Sequence, residues 1–230
     1  MKIAVFGDMN SNHRVLGLLF EQTAGVDAYY CDGDVVHHNS SNGARWTDEC
    51  IGLLIAHNVI SVNGNHEKSL LGRLQKDPLY MQNEGYLRKD GIPRYSETTR
   101  EFLLGLNDQK DIGEVLLAHE SALGRLMVFP RRDEFEELRR RGKRMLFFGH
   151  SHRRMHFVWD EKFPWWMNYF ERERFFPRFD VGYDVSKGLH MINPGNLEMA
   201  RPPFGFYECG SYVIYDDNRK TITFKKLMGA

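Results

Sequence analysis

Five short motifs hold most of the chemistry this sequence offers. They are Gly7-Asp8-Met9-Asn10, Gly33-Asp34, Gly64-Asn65-His66-Glu67, Ala118-His119-Glu120 and Gly149-His150-Ser151-His152. Each brings one to three side chains able to bind a metal, and at least four of the five follow a short apolar run. Together they form a nitrogen-and-oxygen donor set that suits two divalent cations. Two cations about 3.5–4 Å apart are a known device for cleaving phosphate esters. Taken singly, Gly-Asp after a strand is more often a turn or helix cap. Gly64-Asn65-His66 says more, because a glycine lets backbone approach a ligand closely. His150-Ser151-His152 directly after a strand says more again, and five such motifs in one order are hard to explain as turns.

The elements that must hold these residues follow from apolar periodicity. Lys2–Phe6, Ala28–Cys31, Val59–Val62, Val115–Ala118 and Met145–Phe148 read as strands, each ending at a motif. Helical spacing lies between them at Val15–Leu19, Asp48–His57 and Phe135–Arg141. Thr98 with Glu101 three residues on predicts a capping box and a helix to about Leu106. The tail changes character. Leu189–Ile192, Ser211–Tyr215 and Thr221–Lys225 read as strands with no helix between them. The alternation predicts a mostly parallel sheet covered by helices, with the late strands as a second sheet packed on it. Ligands in such folds sit at the carboxyl ends of strands, where the motifs fall.

Composition sets the bounds. The 230 residues fit one domain spanning 1–230 with a full-sized core, and 31 basic residues balance 31 acidic ones. No net positive field marks a nucleic-acid or membrane partner. No apolar run approaches the ~20 residues that span a bilayer. Three cysteines without metal-type spacing read as reduced thiols, and a strand-forming start at Met1 argues against a signal peptide, so a cytoplasmic location is expected.

With these motifs in order, the chain resembles the calcineurin-like metallophosphoesterases, nearest to the small bacterial branch with diadenosine tetraphosphatase-like members. The matching positions are Asp8, Asp34, Asn65, His66, Glu67, His119, His150 and His152. Asn193-Pro194-Gly195-Asn196 falls where the branch usually has Asn-Pro-Gly-Ser, and Arg201 where it often has an arginine. The resemblance implies an α/β fold, a four-layer α-β-β-α sandwich of two mixed sheets flanked by helices. It implies two divalent ions, manganese foremost, with iron, zinc or magnesium as alternatives. Asp34 would bridge them; Asp8, Asn10 and His152 would complete one site, and Asn65, His119 and His150 the other. A bridging hydroxide would attack phosphorus, and His66 would protonate the leaving group. The expected substrate is a phosphorylated small molecule, a nucleotide or a phosphoprotein, as a phosphomonoester or phosphodiester.

Three departures from the family pattern stand out. Residue 10 is Asn where the family usually has His, a poorer donor to softer metals. His13, three residues on, is an alternative ligand or the start of a helix. His37 and His38 stand where protein phosphatases carry Asp and Arg; His38 is a candidate phosphate contact, and what orients His66 is left open. Finally, about 155–187 forms an insertion, with eleven aromatic residues between 157 and 183. It can pack on the domain, cap the site or join a homo-oligomer. Asn10 keeps a second reading alive, a weakly catalytic binding scaffold of the same fold, such as a retromer subunit.

Overall fold

The computed structural model describes residues 1–36, 43–76, 95–125, 130–159, 177–197 and 210–228. In β1 (Lys2–Phe6), side chains alternate between two apolar environments, as the period of two in a strand dictates. Ile3 and Val5 face the layer between two sheets; Ala4 and Phe6 face helices. The same division recurs in β5 (Val115–Ala118). There Val115 and Leu117 point between the sheets, while Leu116 and Ala118 point to the opposite helical layer. Both faces of each sheet are thus covered, so these strands read as continuous apolar runs.

The first sheet has the order β3-β2-β1-β10-β11-β8. It joins β1, β2 (Ala28–Cys31) and β3 (Ile60–Ser61) in parallel to an antiparallel set of β10 (Ser211–Asp216), β11 (Thr221–Lys226) and β8 (Gly182–Asp184). The second has the order β4-β5-β6-β9-β7, where β4 is Gln109–Ile112, β6 Met145–Phe147, β7 Arg154–Trp159 and β9 Leu189–Pro194. Helices α1 (His13–Gln22), α2 (Gly43–Ala56), α3 (Asn65–Lys76) and α4 (Glu97–Gly105) cover the first sheet through Leu16, Leu19, Ile51, Leu54, Leu70 and Leu103. Helix α5 (Arg132–Arg140) covers the second with Phe135 and Leu138. The result is two mixed sheets flanked by helices.

This corrects the expected division of strands. The early parallel strands are split between the sheets, and the late strands do not form a sheet of their own. Strand β9 enters the second sheet parallel to β6, while β10 and β11 extend the first. The capping box at Thr98 is also replaced. Ser96 caps α4 by accepting the Thr99 amide at 3.1 Å, and Asp48 holds Ser96 in place by accepting its N–H at 3.0 Å. Cys31 and Cys50 are buried free thiols. None of the described helices is long and apolar enough to cross a membrane. The part of the aromatic insertion from 160 to 176 lies outside the described residues.

Candidate metal centre

The five motifs follow the carboxyl ends of β1, β2, β3, β5 and β6, so one end of the sandwich gathers them all. Backbone bonds stitch the first two loops together. Asp8 N–H donates to Gly33 O at 3.0 Å, and Asn10 N–H to Asp34 O at 3.1 Å. Gly64 admits the Asp34 carboxylate, since a Cβ there would lie 2.0 Å from Asp34 Oδ1. Glu67 then ties the second and third loops. Fully buried, it accepts the amides of Gly64 (2.7 Å), Asp34 (3.0 Å) and Val36 (2.8 Å). Such charge-assisted bonds are among the stronger ones available. Burial, and then the Asp34 charge, push the Glu67 carboxyl up; the amides oppose them.

The candidate donors converge through a chain of short contacts. His152 Nε2 lies 3.3 Å from Asp8 Oδ1, and Asp8, Asp34 and His152 have donor atoms within 4.8 Å of one another. His119 Nε2 lies 3.3 Å from Asp34 Oδ2 and 3.0 Å from Asn65 Oδ1. His150 Nδ1 lies 2.9 Å from the same Asn65 oxygen. Asn10 is buried beside them at 8% exposure. The structure therefore brings together Asp8, Asn10, Asp34, Asn65, His66, His119, His150 and His152. Asn65 and His66 stand in the first turn of α3 rather than in a loop. His13 begins α1 and directs Nε2 to Glu49 at 3.0 Å. His38 and Arg201 lie outside the described residues.

Do these groups fit cations? Both carboxylate oxygens of Asp8 are buried and accept no hydrogen bond among the described residues. A buried carboxylate without donors is costly unless a positive charge meets it. Oxygen and imidazole donors gathered around it are those expected of manganese, iron, zinc or magnesium, so the residues fit. Backbone strain marks the same place. Asp8, Asn10, Asp34, His150 and His152 all take positive φ, from 47° to 70°. Non-glycine residues rarely adopt this region, and the strain concentrates at functional loops.

The protonation states agree with a site short of positive charge. Burial works against charge on His119, but the Asp34 carboxylate beside it and then Asp8 push its pKa up to about 10. Burial would raise Asp34, yet His119 and then His66 hold it down to about 2. His150 is lowered by burial and by the neighbouring His119 charge.

Two features escaped the sequence reading. Asp32 is buried against Gly7, and neither of its oxygens has a hydrogen bond among the described residues; burial first, and then the Asp8 charge, raise its carboxyl well above the usual range. Its backbone carbonyl lies 3.0 Å from His119 Nδ1 and accepts that N–H, which leaves Nε2 aimed at Asp34. The other feature is what orients His66. Its Nδ1 lies 2.9 Å from the Val36 carbonyl, and Val36 is itself held by Glu67. His66 Nε2 then lies 3.7 Å from Asp34 Oδ2. Backbone partners of this kind leave no mark in the residue types. Glu67 could have been suspected, since an acid beside Asn65 and His66 must satisfy its charge locally.

A family profile described as calcineurin-like phosphoesterase matches residues 1–186. No curated protein matches the chain in sequence. Among solved structures, a metallophosphoesterase from Sphaerobacter thermophilus is similar at TM-score 0.71 and 22% identity, over 99% of this chain and 88% of that one. A cold-active protein-tyrosine phosphatase of a psychrophilic Shewanella gives 0.55 and 12%, over 99% and 80%. A protein serine/threonine phosphatase from Saccharomyces cerevisiae gives 0.52 and 13%, over 100% and 81%. At these identities the likeness is one of fold.

Proposed function

Since the chain belongs to the calcineurin-like phosphoesterases, a family of metal-dependent phosphoester hydrolases, we propose that it hydrolyses phosphomonoesters or phosphodiesters at a two-cation centre. Asp8, Asn10 and His152 would hold one cation, Asn65, His119 and His150 the other, and Asp34 would serve both. When bound, the pair would supply a hydroxide nucleophile near neutral pH and neutralise charge on the phosphoryl oxygens. Support comes foremost from one observation: Asp8, buried with both oxygens accepting no hydrogen bond among the described residues, shares a space with Asp34 and His152.

The chain's own residues do the rest. Asp32 ties the second loop to His119 through its backbone carbonyl, and Glu67 ties the second and third loops by accepting backbone amides, so the donors are held before any ligand arrives. His66 donates Nδ1–H to Val36 O and turns Nε2 toward the centre. With Nδ1–H committed to a carbonyl, His66 gives up a proton from Nε2 only as the imidazolium. That proton goes to the departing alkoxide, and the ring becomes the neutral Nδ1–H tautomer. The chain's substrates would be phosphorylated small molecules, nucleotides or phosphoproteins. Manganese is the first choice of metal, because the Asn10 amide oxygen suits a harder cation than imidazole does.

The test uses full-length protein stripped with a chelator. Turnover of p-nitrophenyl phosphate and of its bis ester should vanish and return with manganese. Metal binding without turnover of either ester would support the second reading, a scaffold of this fold, which the Asn10 departure favours.

A further inference from the structure

Trp46 is 43% exposed, and among the described residues it is the one exposed Phe, Tyr or Trp. Its place is set from the metal centre outward. The parallel strands β1 and β2 end at the Asp8 and Asp34 loops, so helices α1 and α2, which follow them, both start at the motif end of the sandwich. His13 opens α1 three residues after Asn10, and three residues span at most about 11 Å. Trp46 stands in the first turn of α2. The buried hydroxyls of Ser11 and Thr47 meet at 2.7 Å and tie that turn to the first metal loop. An indole left open to water gains little from burial, so the fold does not account for its size.

The indole has a ring partner. Its centroid lies 6.2 Å from that of His13, with the two planes 47° apart. Glu49 steadies His13, its Oε2 lying 3.0 Å from Nε2. Two flat rings meeting at this angle form a shallow wall on which a third flat ring can stack. Among the described residues neither ring bonds to a metal donor, so a gap separates this wall from the phosphorus to be attacked. An aryl ester carries its ring directly on the oxygen bound to phosphorus. A nucleotide sets a sugar between phosphate and base, and that spacing fits the gap. Resting on the two-cation reading above, we propose that Trp46, with His13 beside it, is a base-stacking subsite that makes nucleotides the preferred esters of this centre. Stacking uses only the π face, so the subsite prefers a base to none without choosing among bases.

The test compares AMP with the same sugar phosphate lacking its base, on manganese-loaded full-length protein. Wild type should favour AMP. Trp46→Ala should lower the ratio of the two kcat/KM values by about 5–30-fold, the lower part of what one stacked base contributes, and through KM rather than kcat. Trp46→Phe keeps a ring and should recover most of the ratio. A second readout needs neither metal nor turnover. The indole N–H signal of Trp46, assigned with Trp46→Phe, should shift when adenosine is added to chelator-stripped protein, and not when ribose is added. A ratio that Trp46→Ala leaves unchanged overturns the inference, as does a Trp46→Phe no better than Trp46→Ala. A larger effect of Trp46→Ala on phosphotyrosine against phosphoserine than on the nucleotide pair overturns the choice of a nucleobase. Protein that turns over neither ester overturns the two-cation reading, and the adenosine shift then decides the subsite by itself.

Discussion

At the end of the sandwich opposite the candidate metal centre, acidic groups meet their partners within the chain. Lys220 Nζ lies 2.8 Å from Glu114 Oε1 and 2.7 Å from Asp217 Oδ1. The Tyr215 hydroxyl lies 2.9 Å from each of those oxygens, and Arg144 Nε lies 3.3 Å from Glu114 Oε2. The Glu114 and Asp217 side chains are also 29% and 39% exposed. At the motif end, Asp8, Asp32, Asp34 and Glu67 are each at most 1% exposed. Their side-chain partners among the described residues are backbone amides and histidines, with no lysine or arginine. One end closes its charges on itself; at the other, the carboxylate oxygens of Asp8 and Asp32 accept no hydrogen bond among the described residues. A partly exposed network steadies the fold slightly, whereas buried carboxylates without donors are costly to the metal-free fold.

The largest expected effect breaks the pair of ends apart. Asp34→Asn keeps the side-chain shape and a residue type that tolerates φ of 50°. It should bring turnover to background, with loss of manganese binding by calorimetry. Glu114→Gln at the other end should leave turnover alone and cost at most about 1 kcal/mol of stability, since the group is part-exposed. Next, His66→Ala should cut turnover about 10²–10⁴-fold on an ester with a poor leaving group, and less on p-nitrophenyl phosphate. Equal losses on both would rule out the proton-donor role and point to positioning.

A third effect runs against intuition. Asp8→Asn removes a buried carboxylate that accepts no hydrogen bond among the described residues, so metal-free protein should gain on the order of 1 kcal/mol, about 2–4 °C in thermal midpoint for this length. With manganese present the order should reverse, because only wild type gains from the ligand. A metal-free Asp8→Asn that melts lower than wild type would sink the idea of an unbalanced end.

The fourth effect is a proton count. His119, raised to about 10, carries a proton at pH 7.5 in the metal-free state, and Asp34, lowered to about 2, carries none. The stability this pair lends is full between the ordinary values of the two groups; it is lost as pH rises through about 10 or falls through about 2. A cation must displace the His119 proton, so manganese uptake at pH 7.5 should release about one proton. Calorimetry in buffers of different ionisation enthalpy reads this directly; no release would mean His119 is not a ligand. Last and smallest, Asn10→His should tighten the site shared with Asp8 and His152, most for zinc or iron, and leave its neighbour little changed.

Much of this was legible because β1, β2 and β5 are apolar runs whose limits match the buried segments. The motifs also fall where a parallel sheet puts ligands. The resemblance implied two mixed sheets, as observed, but which strand joins which sheet was not legible. It depends on Lys2–Phe6 pairing with Ser211–Asp216, a contact of great sequence separation that no local pattern encodes. Strand β4, Gln-Lys-Asp-Ile, carries polar side chains because it is an edge strand. At the site the donor types were visible, but the contacts of Asp32 and Val36 run through backbone atoms.

The left-handed loops bear on how such a site would decay. The non-glycine residues most at ease at positive φ are Asn, Asp and His, which are also ligands for hard and intermediate cations. At positions 8, 10, 34, 150 and 152, loop shape alone therefore selects the same residues that coordination would. A descendant that had stopped binding metal would still be held to that short alphabet there. Asn65 and His119 are not among the positive-φ residues, so their backbone makes no such demand. Drift would show first at those two positions, which makes them the sensitive gauge of whether a relative of this fold still handles metal.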